Sequence, residues 1–197
     1  MFENSVSLFR NYTKKFIAFS DEDWELILPH LKEKHLPKGE YLARKGRVSN
    51  EIGYVTEGCL RQFYIHNDEE KTTYFYFENH LVSSYISCIL KTPSEISIEA
   101  LSDTRLLYFT YDTLQILYEK SQRWERFGRL IAEYLAIGME ERMAGLLMMN
   151  PEERYETLLK SGKDKILQRI PQQYIASYLG ITAVSLSRIR RRIVDKG

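Results

Sequence analysis

The chain has 197 residues, a net charge of +1 and 44% hydrophobic content, enough for one large or two small domains with a buried core. Its two cysteines, Cys59 and Cys88, fit no zinc or iron–sulfur spacing. Phe2 to Phe19 is broken by charges and no apolar run spans a bilayer, so the expectation is a cytoplasmic protein with reduced thiols, no metal and no membrane partner.

Ser20-Asp21-Glu22-Asp23 starts a helix, with Ser20 as cap and the acids at the positive end of the dipole. Trp24, Ile27, Leu28 and Leu31 form its apolar face, and Pro29 should bend or split it. From about His35 to Thr110 the period changes towards two. Turns are expected at Lys38-Gly39-Glu40, Lys45-Gly46, Glu57-Gly58 and Asn67-Asp68. Strands are expected at Tyr41–Ala43, Ile52–Val55, Leu60–Ile65, Thr72–Phe77, Ile96–Ala100 and Arg105–Phe109. Many short strands at this spacing indicate a small sandwich or barrel. Thr73, Phe75 and Phe77 alternate with Tyr74 and Tyr76; both sets are aromatic-rich, so one set should line a cavity or a partner surface.

After Tyr111 the period is helical again. Leu114, Leu117 and Tyr118 mark a short amphipathic piece, and a long helix is expected from about Ser121 to Met149, ended by Pro151. Trp124, Phe127, Ile131, Leu135, Met139, Leu146 and Met149 give it one apolar face. A second seam through Leu130, Tyr134 and Ile137 suits a coiled-coil-like dimer contact better than packing on the chain's own strands. Asn150-Pro151-Glu152-Glu153 opens a further helix running through Leu159, followed by the polar loop Ser161-Gly162-Lys163-Asp164.

Pro171 to Arg192 reads as helix, tight turn, helix. Pro171 suits a first helical turn; Ile175, Ala176 and Leu179 form a stripe; Gly180 accepts a left-handed backbone; Thr182 can cap the next helix. Leu186 and Ile189 face inward there, while Ser185, Ser187, Arg188, Arg190, Arg191 and Arg192 cover the rest. Two short helices round a glycine also occur in ordinary helical domains. Charge separates the readings: from Lys163 onward eight basic residues face two acidic ones, a net of +6, leaving −5 on the rest. One part is suited to phosphate and the other is not.

The order helix, β-barrel, long helix, helix-turn-helix resembles the cyclic-AMP receptor/fumarate-nitrate regulator (CRP/FNR) family over nearly the whole chain. The resemblance is carried by Phe19 to Trp24 with Leu28-Pro29, by Leu36-Pro37-Lys38-Gly39-Glu40, by Tyr54-Val55-Thr56-Glu57-Gly58, and by Asn150 to Tyr155 with Arg169-Ile170-Pro171 and Ile175 to Thr182. It is nearest the branch common in Bacteroidetes. The resemblance implies an α+β fold: an N-terminal cyclic-nucleotide-binding-like β-roll (jelly roll), a long dimerisation helix and a C-terminal winged helix-turn-helix. The expected domains are 1–120 for the effector, 121–150 for dimerisation and 151–197 for DNA binding. The implied function is transcription regulation by a homodimer that reads a near-palindromic site on double-stranded DNA, with RNA polymerase as a further partner.

The resemblance also assigns residues. Those expected to meet DNA are Gln172, Gln173, Thr182, Ala183, Val184, Ser185, Ser187, Arg188, Arg191 and Arg192. Ala183-Val184 replaces the family's widespread Arg-Glu pair, which implies a different operator, while Arg188 matches its later arginine and can bond guanine bidentately. In the β-roll, the Gly-Glu pair of cyclic-nucleotide binders falls on Ser83-Ser84, and their Arg-Ser/Thr-Ala motif falls near Ser94-Glu95-Ile96. Without the guanidinium that neutralises the phosphate, cyclic AMP should not bind with the family's usual affinity. No cofactor is identified. Two readings of the pocket stay open: a small uncharged or weakly acidic effector held by Tyr74, Tyr76, Ser83, Ser84, Tyr85 and Ser94, or a pocket filled by its own aromatics.

Other chemistries are disfavoured. His30, His35, His66 and His80 read as surface or turn residues, and no His-x-His pair, nucleophile elbow or phosphate loop is present, so no enzyme is expected. The alternative is a sensor or protein-interaction module whose DNA reader has degenerated.

Overall fold

The structure, a computed structural model, describes residues 2–162 and 164–194, without the side chain of Val194. Lys163, Asp195 and Lys196, counted in the basic segment, lie outside the described residues. The chain divides into two compact units, one of residues 1–62 and 75–134, the other of residues 63–74 and 135–197.

The strands are β1 (Lys32–Leu36), β2 (Tyr41–Ala43), β3 (Glu51–Glu57), β4 (Cys59–His66), β5 (Glu69–Phe77), β6 (Leu81–Val82), β7 (Ile96–Ala100) and β8 (Thr104–Thr110). They form two four-stranded sheets, ordered β1-β8-β3-β6 and β2-β7-β4-β5. This is the jelly-roll pattern expected. The turns are where glycine and asparagine put them: Gly39, Gly46 and Gly58 have φ of 87°, 82° and 96°, and Asn67-Asp68 has φ of 50° and 60°. The last pair is the type I′ signature that matches the twist of a hairpin. Gly58 is irreplaceable on space alone, because a Cβ would lie 2.5 Å from the Asp103 carbonyl oxygen.

In the first unit, helices α1 (Phe2–Thr13), α2 (Asp21–Ile27), α4 (Tyr111–Lys120) and the start of α5 (Gln122–Met148) join the β1-β8-β3-β6 sheet round one core. Phe9, Trp24, Tyr54, Leu107, Leu117, Trp124 and Phe127 are its buried centre. Phe19 lies against Trp124 with ring centroids 4.2 Å apart, and Trp24 meets Phe9 edge-on at 5.7 Å. Each such pair adds about 0.5–1.5 kcal/mol beyond its area burial. Pro29 ends α2 in a 3₁₀ turn, Leu28–His30, as its missing N–H requires.

One carboxylate ties α2 to α5. Asp23 closes the capping box with Ser20, accepts from the Ser121 hydroxyl at 2.6 Å and from Arg123 at 3.1 Å, and its backbone carbonyl accepts from Trp124 Nε1 at 3.0 Å. Burial raises its pKa, but the bonds from Ser121, Ser20 and Arg123 outweigh burial and hold the carboxyl below the usual value.

The second unit holds the β4–β5 tip, the rest of α5, α6 (Pro151–Lys160), α7 (Asp164–Arg169), α8 (Gln172–Tyr178) and α9 (Ala183–Val194). Tyr155, Leu158, Ile166, Ile175, Ala176, Leu179, Leu186 and Ile189 are buried in it. The wing expected of residues 151–197 is not seen among those that are described, which are helical wherever they are regular. Between α6 and α8 the chain forms α7 instead, because Ile166 and Ile170 are one turn apart and both bury.

Candidate nucleic-acid interface

Helices α8 and α9 form from the signals in their sequence. Pro171 stands one residue earlier than expected, as the N-cap of α8 rather than in its first turn. Gly180 takes φ of 71°, and Ile181 N–H reaches back to the Ala176 carbonyl at 3.0 Å. Both are marks of a left-handed helix stop. Thr182 Oγ1 accepts from Ser185 N–H at 3.1 Å and starts α9. The facing side is dry: Ala176 and Leu186 are each 1% exposed. Small Ala176 lets the helices approach closely.

Two arginines secure the turn. Arg154 Nε donates to the Leu179 carbonyl at 2.9 Å, and its Nη1 donates to the Met149 carbonyl at 2.6 Å. Arg142 Nη2 donates to the Tyr178 carbonyl at 2.6 Å and stacks on the Tyr178 ring at 3.8 Å. The same nitrogen lies 3.4 Å from the Thr72 carbonyl in the β4–β5 tip. Burial lowers the Arg142 pKa, opposed by Tyr178. The tip is bonded to α8 as well: Thr72 N–H donates to Ser177 Oγ at 2.9 Å, and that hydroxyl donates to the Glu70 carbonyl at 3.0 Å. Arg142 did not stand out in the sequence, and Arg154 and Ser177 did so only as members of the segments that carry the resemblance, with no role assigned. Their bonds run to backbone carbonyls and amides, which no side-chain pattern encodes.

The outer face of α9 is free for a partner. Thr182, Ala183, Val184, Ser187, Arg188 and Arg191 are exposed and Ser185 is half-buried. Gln172 and Gln173 are exposed at the start of α8. Arg192 differs: its Nε and Nη2 both donate to one oxygen of Glu152, at 3.1 and 2.7 Å. It thus sits in an ion pair with α6. The helix presents hydroxyls, small apolar groups and guanidiniums along one face, the mixture that meets base edges and phosphates.

The effector candidates fall in two groups. Ser83, Ser84 and Tyr85 lie at the start of α3 (Tyr85–Leu90), where Ser84 meets Ser94 and Ser83 Oγ lies 3.3 Å from Cys88 Sγ. Ser84 and Ser94 are 3% and 2% exposed, their hydroxyls 2.8 Å apart, and Ser94 Oγ also lies 2.7 Å from the Ile96 carbonyl. Glu95 points to solvent. Burial raises the Tyr85 pKa, helped by Tyr111 and Cys88, so its phenol stays neutral. Tyr76 is buried on β5 and its hydroxyl donates to Gln62 Oε1 at 2.6 Å, whereas Tyr74 belongs to the second unit. Cys59 and Cys88 are buried and free. Among the described residues no group of His, Cys, Asp and Glu could hold a metal ion, and no helix is long and apolar enough to cross a membrane.

Residues 33–121 match the profile of the cyclic nucleotide-binding domain. No curated protein matches the sequence. Among solved structures, the chain is similar to FixK2 from Bradyrhizobium japonicum, with a TM-score of 0.71 and 19% identity over 85% of this chain and 86% of that one. It is also similar to CLP of Xanthomonas campestris, a c-di-GMP-responsive global regulator, with a TM-score of 0.70 and 16% identity over 90% and 93% of the two chains. A regulator from Eubacterium rectale assigned to the CRP/FNR family gives 0.67 and 19% over 91% and 85%. At these identities the likeness establishes a shared fold.

Proposed function

We propose that this chain is a cytoplasmic transcription regulator of the CRP/FNR type, a homodimer that reads a near-palindromic site on double-stranded DNA. The observation that carries the reading is the α8–Gly180–α9 pair, its inner side sealed by Ala176, Leu186 and Ile189 and its outer side carrying exposed Arg188. Residues 1–120 form the effector domain, 121–150 the dimerisation helix and 151–197 the reader. Arg188 specifies a base, worth about 1–3 kcal/mol of discrimination, and Val184 or Ala183 meets a thymine methyl. Ser185, Ser187, Gln172, Gln173, Thr182 and Arg191 set the register on the backbone. Half-sites lie about one helical turn apart, roughly 34 Å. The exposed apolar side chains of α5, among them Tyr134, Ile137, Met139 and Met143, supply the seam for the second copy. The β-roll takes a small effector other than cyclic AMP, if it takes one.

The test is selection on random duplex DNA with the full chain, followed by salt titration of the enriched sites and an Arg188→Ala control. A palindromic consensus weakened by Arg188→Ala is the expected result. No enrichment, in buffer and in cell extract alike, overturns the reading.

A further inference from the structure

The first turn of α6 and the face of α9 beside it enclose a groove of about 600 Å³, with Glu152, Glu153 and Glu156 on one wall and Arg188 and Arg192 on the other. Across it, Arg192 gives two donors to one oxygen of Glu152. Glu152 is not needed to cap its helix. Asn150 accepts from the Glu152 and Glu153 amides, and Glu153 returns a bond to the Asn150 amide, so the capping box closes without the Glu152 side chain. The Arg192 side chain is 53% exposed, so the pair stays within reach of solvent and of any anion that approaches α9. A carboxylate oxygen receiving two guanidinium donors has the chemistry of a phosphate oxygen receiving them.

We propose that Glu152 is an intramolecular stand-in for a DNA phosphate. It holds Arg192, one turn beyond Arg188, and withholds that charge from the backbone of DNA. This rests on the DNA-binding reading above and adds a determinant to it: the carboxylate sets how much of the binding is sequence-independent. A phosphate must displace Glu152 to win Arg192, and it must do so beside Glu153 and Glu156. Binding through backbone charge alone is therefore penalised, while the contact of Arg188 with a base is not.

The experiment measures the affinity of the full chain for a mixed-sequence duplex across a salt series, for the unaltered chain, Glu152→Gln, Arg192→Ala and the double variant. Glu152→Gln is expected to bind up to about fivefold more tightly at fixed salt. Its log–log salt slope should steepen by about 0.9, the signature of one more phosphate contact. Arg192→Ala should weaken Glu152→Gln more than it weakens the unaltered chain, so the cycle is coupled. A fold effect alone would not move the salt slope, and thermal unfolding checks that each variant is folded. An unchanged affinity and slope in Glu152→Gln, or equal losses from Arg192→Ala in both backgrounds, overturns the proposal and leaves the DNA-binding reading intact. Undetectable binding by both the unaltered chain and Glu152→Gln also overturns the proposal, whereas the DNA-binding reading stands or falls on the selection described above.

Discussion

Gly180 is the residue on which the α8–α9 pair turns. A Cβ there would meet Leu146 Cδ2 at 3.6 Å, an ordinary contact, so space is not what excludes a side chain. The φ of 71° does. A left-handed backbone costs an L-residue about 1–2 kcal/mol, so Gly180→Ala should lose that much from the second unit, read as faster hydrogen exchange of α8 and α9 amides. In the β-roll, the Ser84 and Ser94 hydroxyls lie 2.8 Å apart and Ser94 Oγ donates to the Ile96 carbonyl, at the positions onto which the resemblance maps the ribose- and phosphate-binding motifs of cyclic-nucleotide binders. Calorimetry with cyclic AMP should therefore show no binding at micromolar concentration. Micromolar or tighter binding would require the pair to open and would refute this. The same two residues show what a sequence conceals. The resemblance singled them out, but their mutual bond depends on where α3 and the start of β7 meet.

Among the elements, those with strong local signals were legible. Ser20, Pro29, Gly58, Asn67-Asp68, Asn150, Gly180 and Thr182 each fix a cap, stop or turn, and each stands where expected. Five elements were not foreseen, α1, β1, β6, α3 and α7, and three of them show why. α1 mixes its buried Val6 and Phe9 with charged and polar residues, so it reads as a charge-broken start. β1 is Lys-Glu-Lys-His-Leu, with only Leu36 buried, and is a strand because β8 pairs with it along its length. α3, Tyr-Ile-Ser-Cys-Ile-Leu, is too short for its period to be told from that of a strand. The join of α2 to α5 was hidden for another reason: Asp23 and Ser121 are 98 positions apart. Because the folded Asp23 carboxyl titrates below its ordinary 3.8, it contributes stability above that value and loses it as the pH falls through the lower, folded value. Asp23→Asn should lower stability at neutral pH and flatten its fall in acid, seen in urea unfolding followed by the fluorescence of Trp24 and Trp124.

For the whole molecule, α5 is the decisive element. A helix of 27 residues is long, and beyond Ile131 most of its large apolar side chains are exposed, Ile137 and Tyr134 at 59% each. Water is a poor partner for so many such groups, and the second copy proposed above would cover them. Ile137→Glu should shift sedimentation from dimer to monomer; a chain that sediments as a monomer before substitution would contradict the seam. The dimer reading came from the spacing of one helix together with the family resemblance.

The division into units was not legible, since the second unit borrows residues 63–74 from the middle of the chain. That borrowing bears on how the protein is made. Thr72 emerges from the ribosome 105 residues ahead of Ser177, its partner across the β4–β5 tip. At about 5–20 residues per second, roughly 5–20 s separate the two. Throughout that interval the tip is already made while the helix that bonds to it has yet to be translated, so the contact between them can form only at the end of synthesis.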